Sequence, residues 1–339
     1  MSRVFVHGQG AVSPAGWGLP ALQAGLAEGR PLPVQEMARP GWEKPLPVRL
    51  VPQPSPRPAF LAHPRLRRAS PVAQHSVGAA LEALGDDAPL VSSGALRLGI
   101  IECTMTGGIS YSRRFYHEVL QDPATASPMV FSETVFNASA SHLAAYLGTP
   151  AINYTLVGDA GAFLQGLATA AQWLDDGRTD ACVVIGAEEA DWSAADALGL
   201  FQPADVHTSG AGAVYLKTQV PVNSPVELIA VTDSFPPVRD LGREEAARRM
   251  RAQLPPPAAD ELLCSNQDRH LAWPGWPGSF LNPQAILGNA FAAPAAWQCA
   301  VGCDLILRGR FASANVTITG RGQQTIGARF QKSHFSIAS

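Results

Sequence analysis

Between residues 151 and 187 an apolar run, a helical stripe and a second apolar run follow one another directly. Ala151 to Val157 reads as a short strand, and Gly158 turns the chain. Ala160 to Asp175 then carries Phe163, Leu167, Ala171 and Leu174 on one helical stripe, with Gly177 as its stop. Ala181 to Ala187 is apolar throughout, so this strand has no solvent-facing side and needs cover on both faces. A strand, a helix and a doubly buried strand in that order are the unit of an α/β protein.

The rest of the chain fits the same plan. Arg3 to His7 reads as a strand ending in a glycine turn at Gly8-Gln9-Gly10. Residues 31–58 contain nine prolines, which predicts an irregular surface segment without a regular helix or central strand. Ala73, Val77, Ala80, Leu81 and Leu84 predict a helix over Pro71 to Leu84. Leu98 to Glu102 reads as a buried strand leading into Gly107-Gly108. Further on, Val226 to Thr232 and Glu261 to Ser265 are strands, and a helix covers roughly Phe291 to Arg308. Val316 to Thr319 and Thr325 to Phe330 form a hairpin across Gly320-Arg321-Gly322. The two halves join at about Pro221 to Pro225, giving domains 1–220 and 221–339 that share a topology rather than a short repeat.

Composition excludes several classes. The net charge of −3 offers no basic face for nucleic acid, and no apolar stretch is long enough to span a bilayer. Cys103, Cys182, Cys264, Cys299 and Cys303 are odd in number and contain no CxxC pair, so neither a disulfide framework nor a metal site is expected. Gly8-Gln9-Gly10 lacks the remaining spacing of a dinucleotide loop, and no cofactor is expected. From Met1 the chain enters an apolar strand directly, which predicts no leader and a cytoplasmic location.

Several ordered segments resemble the β-ketoacyl synthases of fatty-acid and type II polyketide synthesis. Gly8-Gln9-Gly10-Ala11-Val12-Ser13-Pro14 looks like their opening "G-x-G-x-V-[ST]-P" turn. Asn137-Ala138-Ser139-Ala140-Ser141-His142 is similar to "N-x-x-x-G-H", with Ser141 for Gly. Asn153-Tyr154 followed by Gly158-Asp159-Ala160 resembles the strand and elbow that carry the nucleophile. Ala181 to Glu189 and Gly210-Ala211-Gly212-Ala213-Val214 resemble two further family strands, the latter with Ser209 for Glu. The resemblance spans residues 1 to 217 and is fainter beyond, resting on Cys264 to Asn266 and Gly288 to Ala300. It implies a thiolase-like five-layer α/β/α/β/α sandwich of two similar halves, the second shortened, with the Pro-rich segment 31–58 replacing part of the usual cap. It also implies a dimer through the strand that carries Ala151, Asn153, Tyr154, Thr155 and Val157.

The family reaction uses a cysteine thiolate at a helix N-terminus and two histidines. The resemblance places the cysteine at Asp159, the first histidine at Asn266, and the second at Asn289, with Gln284 at the lysine of "K-x-x-x-G-H". The C-terminal glycine-rich loop is also missing from Thr317 to Gly327. A carboxylate cannot hold an acyl chain as a thioester, and asparagine cannot titrate near neutrality. Every element of the site is changed, which predicts a chain without condensing activity of its own. Asp159 reads as a cap for the helix that follows it, the alternative being a residual hydrolytic or decarboxylating role. Cys103 and Cys264 could line the same pocket, though a buried structural thiol is the ordinary reading of each. His142, His207 and His270 lack metal-ligand spacing, and His270, in a Trp- and Pro-rich loop, is the one to inspect for a pocket.

The expected role is that of a chain-length-factor-like subunit, of the polyketide or aryl-polyene type, that pairs with a catalytic ketosynthase. Ile109, Tyr111, Phe115, Phe131 and Phe136 would help wall the partner's acyl tunnel. Arg65, Arg67 and Arg68 would meet an acyl carrier protein or form a merely solvated patch. Two alternatives stay open: a diverged condensing or acyl-transfer enzyme using Asp159 or a relocated cysteine, and a homodimeric acyl-chain-binding protein.

Overall fold

The computed structural model describes residues 2–222, 225–236, 242–320 and 324–333. The first stretch holds β1 (Phe5–Ser13), β2 (Gly16–Trp17), α1 (Leu19–Ala27), β3 (Gln35–Met37), β4 (Leu46–Arg49), α2 (Pro71–Leu84) and α3 (Ala88–Ser92). Next come β5 (Leu98–Thr104), α4 (Ile109–Gln121), α5 (Pro128–Phe131), α6 (Ala138–Leu147), β6 (Ile152–Val157) and α7 (Gly161–Asp175). These lead to β7 (Ala181–Glu188), α8 (Trp192–Phe201), β8 (His207–Thr208) and β9 (Gly210–Lys217). The second half has β10 (Val226–Val231), α9 (Gly242–Ala252), β11 (Glu261–Ser265), α10 (Arg269–Ala272) and β12 (Ser279–Leu281). It ends with α11 (Pro283–Leu287), α12 (Ala293–Leu307), β13 (Ser313–Thr319) and β14 (Thr325–Lys332).

Two sheets with the orders β6-β5-β7-β9-β1 and β12-β11-β13-β14-β10 meet where β1 pairs β10 at Phe5–Glu227 and Val6–Val226. In the first, β6, β5 and β7 are parallel and β9 runs antiparallel to both its neighbours. The second repeats this pattern with β12, β11 and β13 parallel and β14 antiparallel to β13 and β10. The duplication is therefore one of topology, as the sequence suggested.

Helices α7 and α12 lie between the sheets. One apolar core joins Phe163, Leu164 and Leu167 of α7, Cys299 and Cys303 of α12, Val184 of the first sheet, and Cys264 and Val316 of the second. On the far side of the first sheet, Val72, Ala73, Val77 and Ala80 of α2 and Leu143 of α6 pack onto Ile100, Val183 and Ile185. Met250 of α9, with Trp273 and Trp276, packs onto Leu263 of the second. These are the five layers of a thiolase-like sandwich. The apolar run Ala181 to Ala187 of β7 is explained by helices on both of its faces.

Three expectations need correction. β1 does not stop at Gly8 but continues to Ser13. A Cβ built on Gly8 would lie 1.9 Å from the Ala83 carbonyl oxygen, and one on Gly10 1.9 Å from that of Ala79. These glycines let the strand approach the backbone of α2, and they do not turn the chain. The Pro-rich segment is not wholly irregular, because β3 and β4 pair with each other and β4 pairs with β8 in a small separate sheet. Short strands at a rim tolerate proline because not every N–H is needed there. The late helix begins at Ala293 rather than Phe291, whose φ of 44° is left-handed. The hairpin strands β13 and β14 pair as expected. Arg321 and Gly322 of their turn, and 223–224 of the joining segment, lie outside the described residues. No helix of the described residues is long and apolar enough to cross a membrane.

Candidate functional site

The first sheet delivers β6 into α7 through Gly158 and Asp159. Asp159 Oδ1 accepts from the Gly161 N–H at 2.9 Å and from Gln324 Nε2 at 3.3 Å. Its carboxyl is thus bound to the first residue of α7, while the N-cap position itself is Ala160. Burial pushes its pKa above the ordinary carboxylate value, with the hydrogen bonds from Gly161 and Gln324 opposing the shift.

Asn266 follows β11 in the second sheet. Its amide pairs with the backbone of Thr319, donating to the carbonyl at 3.1 Å and accepting from the N–H at 3.0 Å. Asn282 caps α11 by accepting from the Ala285 N–H, and Gly288 ends that helix at φ 102°. Asn289 Nδ2 donates to Asp205 Oδ2 at 2.8 Å and to Gln202 Oε1 at 3.3 Å, while its Oδ1 accepts from the Phe291 N–H at 3.0 Å. Gln284 Nε2 also donates to Asp205 Oδ2, at 3.2 Å.

Asp159, Asn266, Gln284 and Asn289, the four positions singled out from the sequence, line one cleft of about 640 Å³. Residues from three distant parts of the chain converge there. Asp205 is the acceptor shared by Gln284 and Asn289, and Gln324 covers the start of α7. The Pro-rich strap contributes Pro31 and Arg49 to the lining. Arg49 carried no signal of its own, being one arginine in a proline-dense stretch.

Among the described residues, the cleft lining contains neither a thiol nor an imidazole. Every cysteine is buried and free, and burial raises the pKa of each, that of Cys264 to about 12. Cys103 and Cys264 lie in the core and do not line the cleft, contrary to the suggestion that they could. His207 sits behind Asn289 with Nδ1 3.2 Å from the Asn289 carbonyl oxygen, and burial lowers its pKa to about 4. His142 pairs with Glu133 at 2.6 Å. His270 is exposed and outside the cleft lining, although its neighbours Asp268 and Leu271 belong to it. No cluster able to hold a metal ion occurs among the described residues.

The aromatic residues named from the sequence lie elsewhere. None of Ile109, Tyr111, Phe115, Phe131 and Phe136 lines the cleft. They gather beyond the C-terminal end of β5, where α4 buries none of its residues. The Phe115 and Phe131 rings are 5.2 Å apart, Phe136 lies against Gly107, and the Tyr111 hydroxyl donates to the Arg68 carbonyl at 2.7 Å. Tyr116, Leu120 and Met129 extend this exposed apolar surface, Met129 being 67% exposed. Beside β5, strand β6 is an unpaired edge that turns Ile152, Tyr154 and Val157 outward. Ala151 precedes this strand and is half-buried, and Asn153 is exposed on it. Arg65, Arg67 and Arg68 are exposed on the turn before α2, and none forms an ion pair among the described residues.

Two topologically equivalent halves around a shared pair of central helices define the thiolase-like fold of ketosynthases and chain length factors. No family model and no curated protein matches the sequence, so the likeness is carried by solved structures. One is the ishigamide ketosynthase/chain length factor, with a TM-score of 0.76 and 19% identity over 98% of this chain and 100% of that one. Another is a type II polyketide synthase acyl carrier protein in complex with its ketosynthase, with a TM-score of 0.78 and 16% identity over 98% and 99% of the two chains. A third is a ketosynthase in complex with its chain length factor from Xenorhabdus doucetiae, with a TM-score of 0.77, 13% identity and 98% coverage of each chain. At these identities the likeness establishes the fold.

Proposed function

We propose that this chain is a non-catalytic, chain-length-factor-like subunit that pairs with an active β-ketoacyl synthase and shapes its acyl tunnel in polyketide or fatty-acid-type biosynthesis. The observation that carries this reading is the state of the cleft. The residue at the start of α7 is a carboxylate bound to the helix, and Asn266 and Asn289 spend their amides on internal hydrogen bonds. A condensing enzyme needs a thiolate where a thioester can reach it, together with groups that move protons. The buried cysteines, with raised pKa values, do not favour a relocated nucleophile.

The partner would be a catalytic ketosynthase, or a second copy of this chain, joined along β6. An exposed edge strand carrying Tyr154, at 49%, and Val157, at 55%, supports that reading, since isolated edges of this kind are normally covered. Asn153 and Thr155 belong to the same edge. The apolar surface of Tyr116, Leu120, Met129, Phe131 and Phe136 would extend the interface and supply the tunnel wall. Arg65, Arg67 and Arg68 would steer an acidic carrier protein, with binding that weakens as salt rises.

Co-expression of the chain with candidate ketosynthases, followed by affinity purification and incubation with malonyl- and acyl-carrier protein, tests this reading. The expected result is a 1:1 complex in which only the partner becomes acylated. Acylation of this chain, or its failure to associate with any ketosynthase, refutes the proposal.

A further inference from the structure

We propose that the cleft is a small-molecule site anchored by Arg49, and that its ligand is a polar monocarboxylate. This inference goes beyond the pairing role and stands whether or not the chain joins a ketosynthase.

Arg49 ends β4. Its backbone carbonyl accepts from Thr208 Oγ1 at 2.6 Å, so its place beside β8 is fixed. The residue is only 8% exposed, and what is exposed lines the cleft. Nε donates to the Leu32 carbonyl at 2.7 Å. Among the described residues neither Nη atom has a hydrogen-bond partner, and no carboxylate lies within ion-pair distance. The Nη atoms are open to the cleft, where a ligand can reach them. Its planar fork of donors matches a carboxylate. Burial also depresses the pKa of this arginine.

The other charges around the cleft select the ligand. Asp159, Asp205 and Asp268 belong to the same lining. Asp205 accepts from Gln284 and Asn289, and Asp159 from Gly161 and Gln324. A phosphate dianion would be repelled by these carboxylates more strongly than a single planar negative charge, which Arg49 can match. Elsewhere the lining is polar, with Gln202, Gln267 and Asn282 each already holding an internal hydrogen bond, a surface that suits hydroxyl or amide groups better than an alkyl chain. The volume, about 640 Å³, is that of an ordinary small-molecule site.

Calorimetric titration of the full chain with sodium gluconate and sodium lactate, at fixed ionic strength and beside sodium phosphate and sodium butyrate, tests this. Saturable binding of a hydroxy acid is expected, weakened about tenfold or more by Arg49→Gln. Because Arg49 also holds Leu32, a second measurement uses the unaltered protein. Phenylglyoxal modification mapped by mass spectrometry should show Arg49 protected by the bound acid, while the exposed Arg65 and Arg67 stay reactive. The proposal is overturned if neither hydroxy acid binds saturably, if phosphate or butyrate binds more tightly, if Arg49→Gln binds as well as the parent, or if protection is absent.

Discussion

Glu102 lies on β5, between β6 and β7, with no exposed surface. Ser76 Oγ donates to one carboxyl oxygen at 2.6 Å, and the other is buried without a hydrogen-bond partner among the described residues. Burial is the largest cause that raises its pKa, from 4.5 to about 8, with Glu188 nearby adding to the rise. A carboxyl whose folded-state pKa is raised contributes its full stability below the unfolded value near 4.5 and loses it as pH climbs towards 8. At 1.36 kcal/mol per unit, three units of that window cost about 4 kcal/mol by pH 7.5. Glu102→Gln keeps the shape and an acceptor for Ser76 but cannot ionise. The variant should lie within about 1 kcal/mol of the parent at pH 5 and be more stable by a few kcal/mol at pH 8.5. Urea unfolding followed by tryptophan fluorescence at pH 5, 7 and 8.5 measures this. Parallel pH slopes for parent and variant would refute the argument that burial holds this carboxyl neutral. Some slope should survive in the variant, because Glu188 is also buried and raised, to about 7.

Three further outcomes follow from the packing. Gly10→Ala drives a Cβ into the Ala79 carbonyl, a backbone contact that cannot yield cheaply, and should cost more than about 4 kcal/mol, read as loss of soluble folded protein. Tyr154→Asp combined with Val157→Asp places two charges on the β6 edge, where both side chains are exposed, so the melting temperature of the isolated chain should hardly move. The same pair should abolish assembly with a ketosynthase or with itself in analytical ultracentrifugation, and assembly that persists excludes β6 as the interface. Iodoacetamide at pH 8 should leave all five cysteines unmodified in the native protein and modify them after unfolding, since each is buried with its pKa raised; rapid native labelling of any one would reopen a thiol-based activity.

Much of the architecture was legible in the chain. Helix α2 occupies the predicted Pro71–Leu84, and β11 the predicted Glu261–Ser265. A 3.6-residue stripe or an unbroken apolar run is a local consequence of which faces will be covered, so sequence spacing records it. The identities of Asp159, Asn266, Gln284 and Asn289 could also be read there, because residue identity belongs to the sequence. What tertiary structure decided is where those residues meet. Gly8 and Gly10 read locally as a turn, and only the approach of α2 makes them part of a strand. Asp205, Gln324 and Arg49 gave no signal, because their roles depend on partners dozens of residues away: Asp205 on Gln284 and Asn289, Gln324 on Asp159, and Arg49 on a cleft wall built by other segments. Local patterns fix elements because their physics acts within a few residues of chain. A cleft and the groups that line it come from contacts between segments far apart in sequence, and only packing two sheets around α7 and α12 sets those distances.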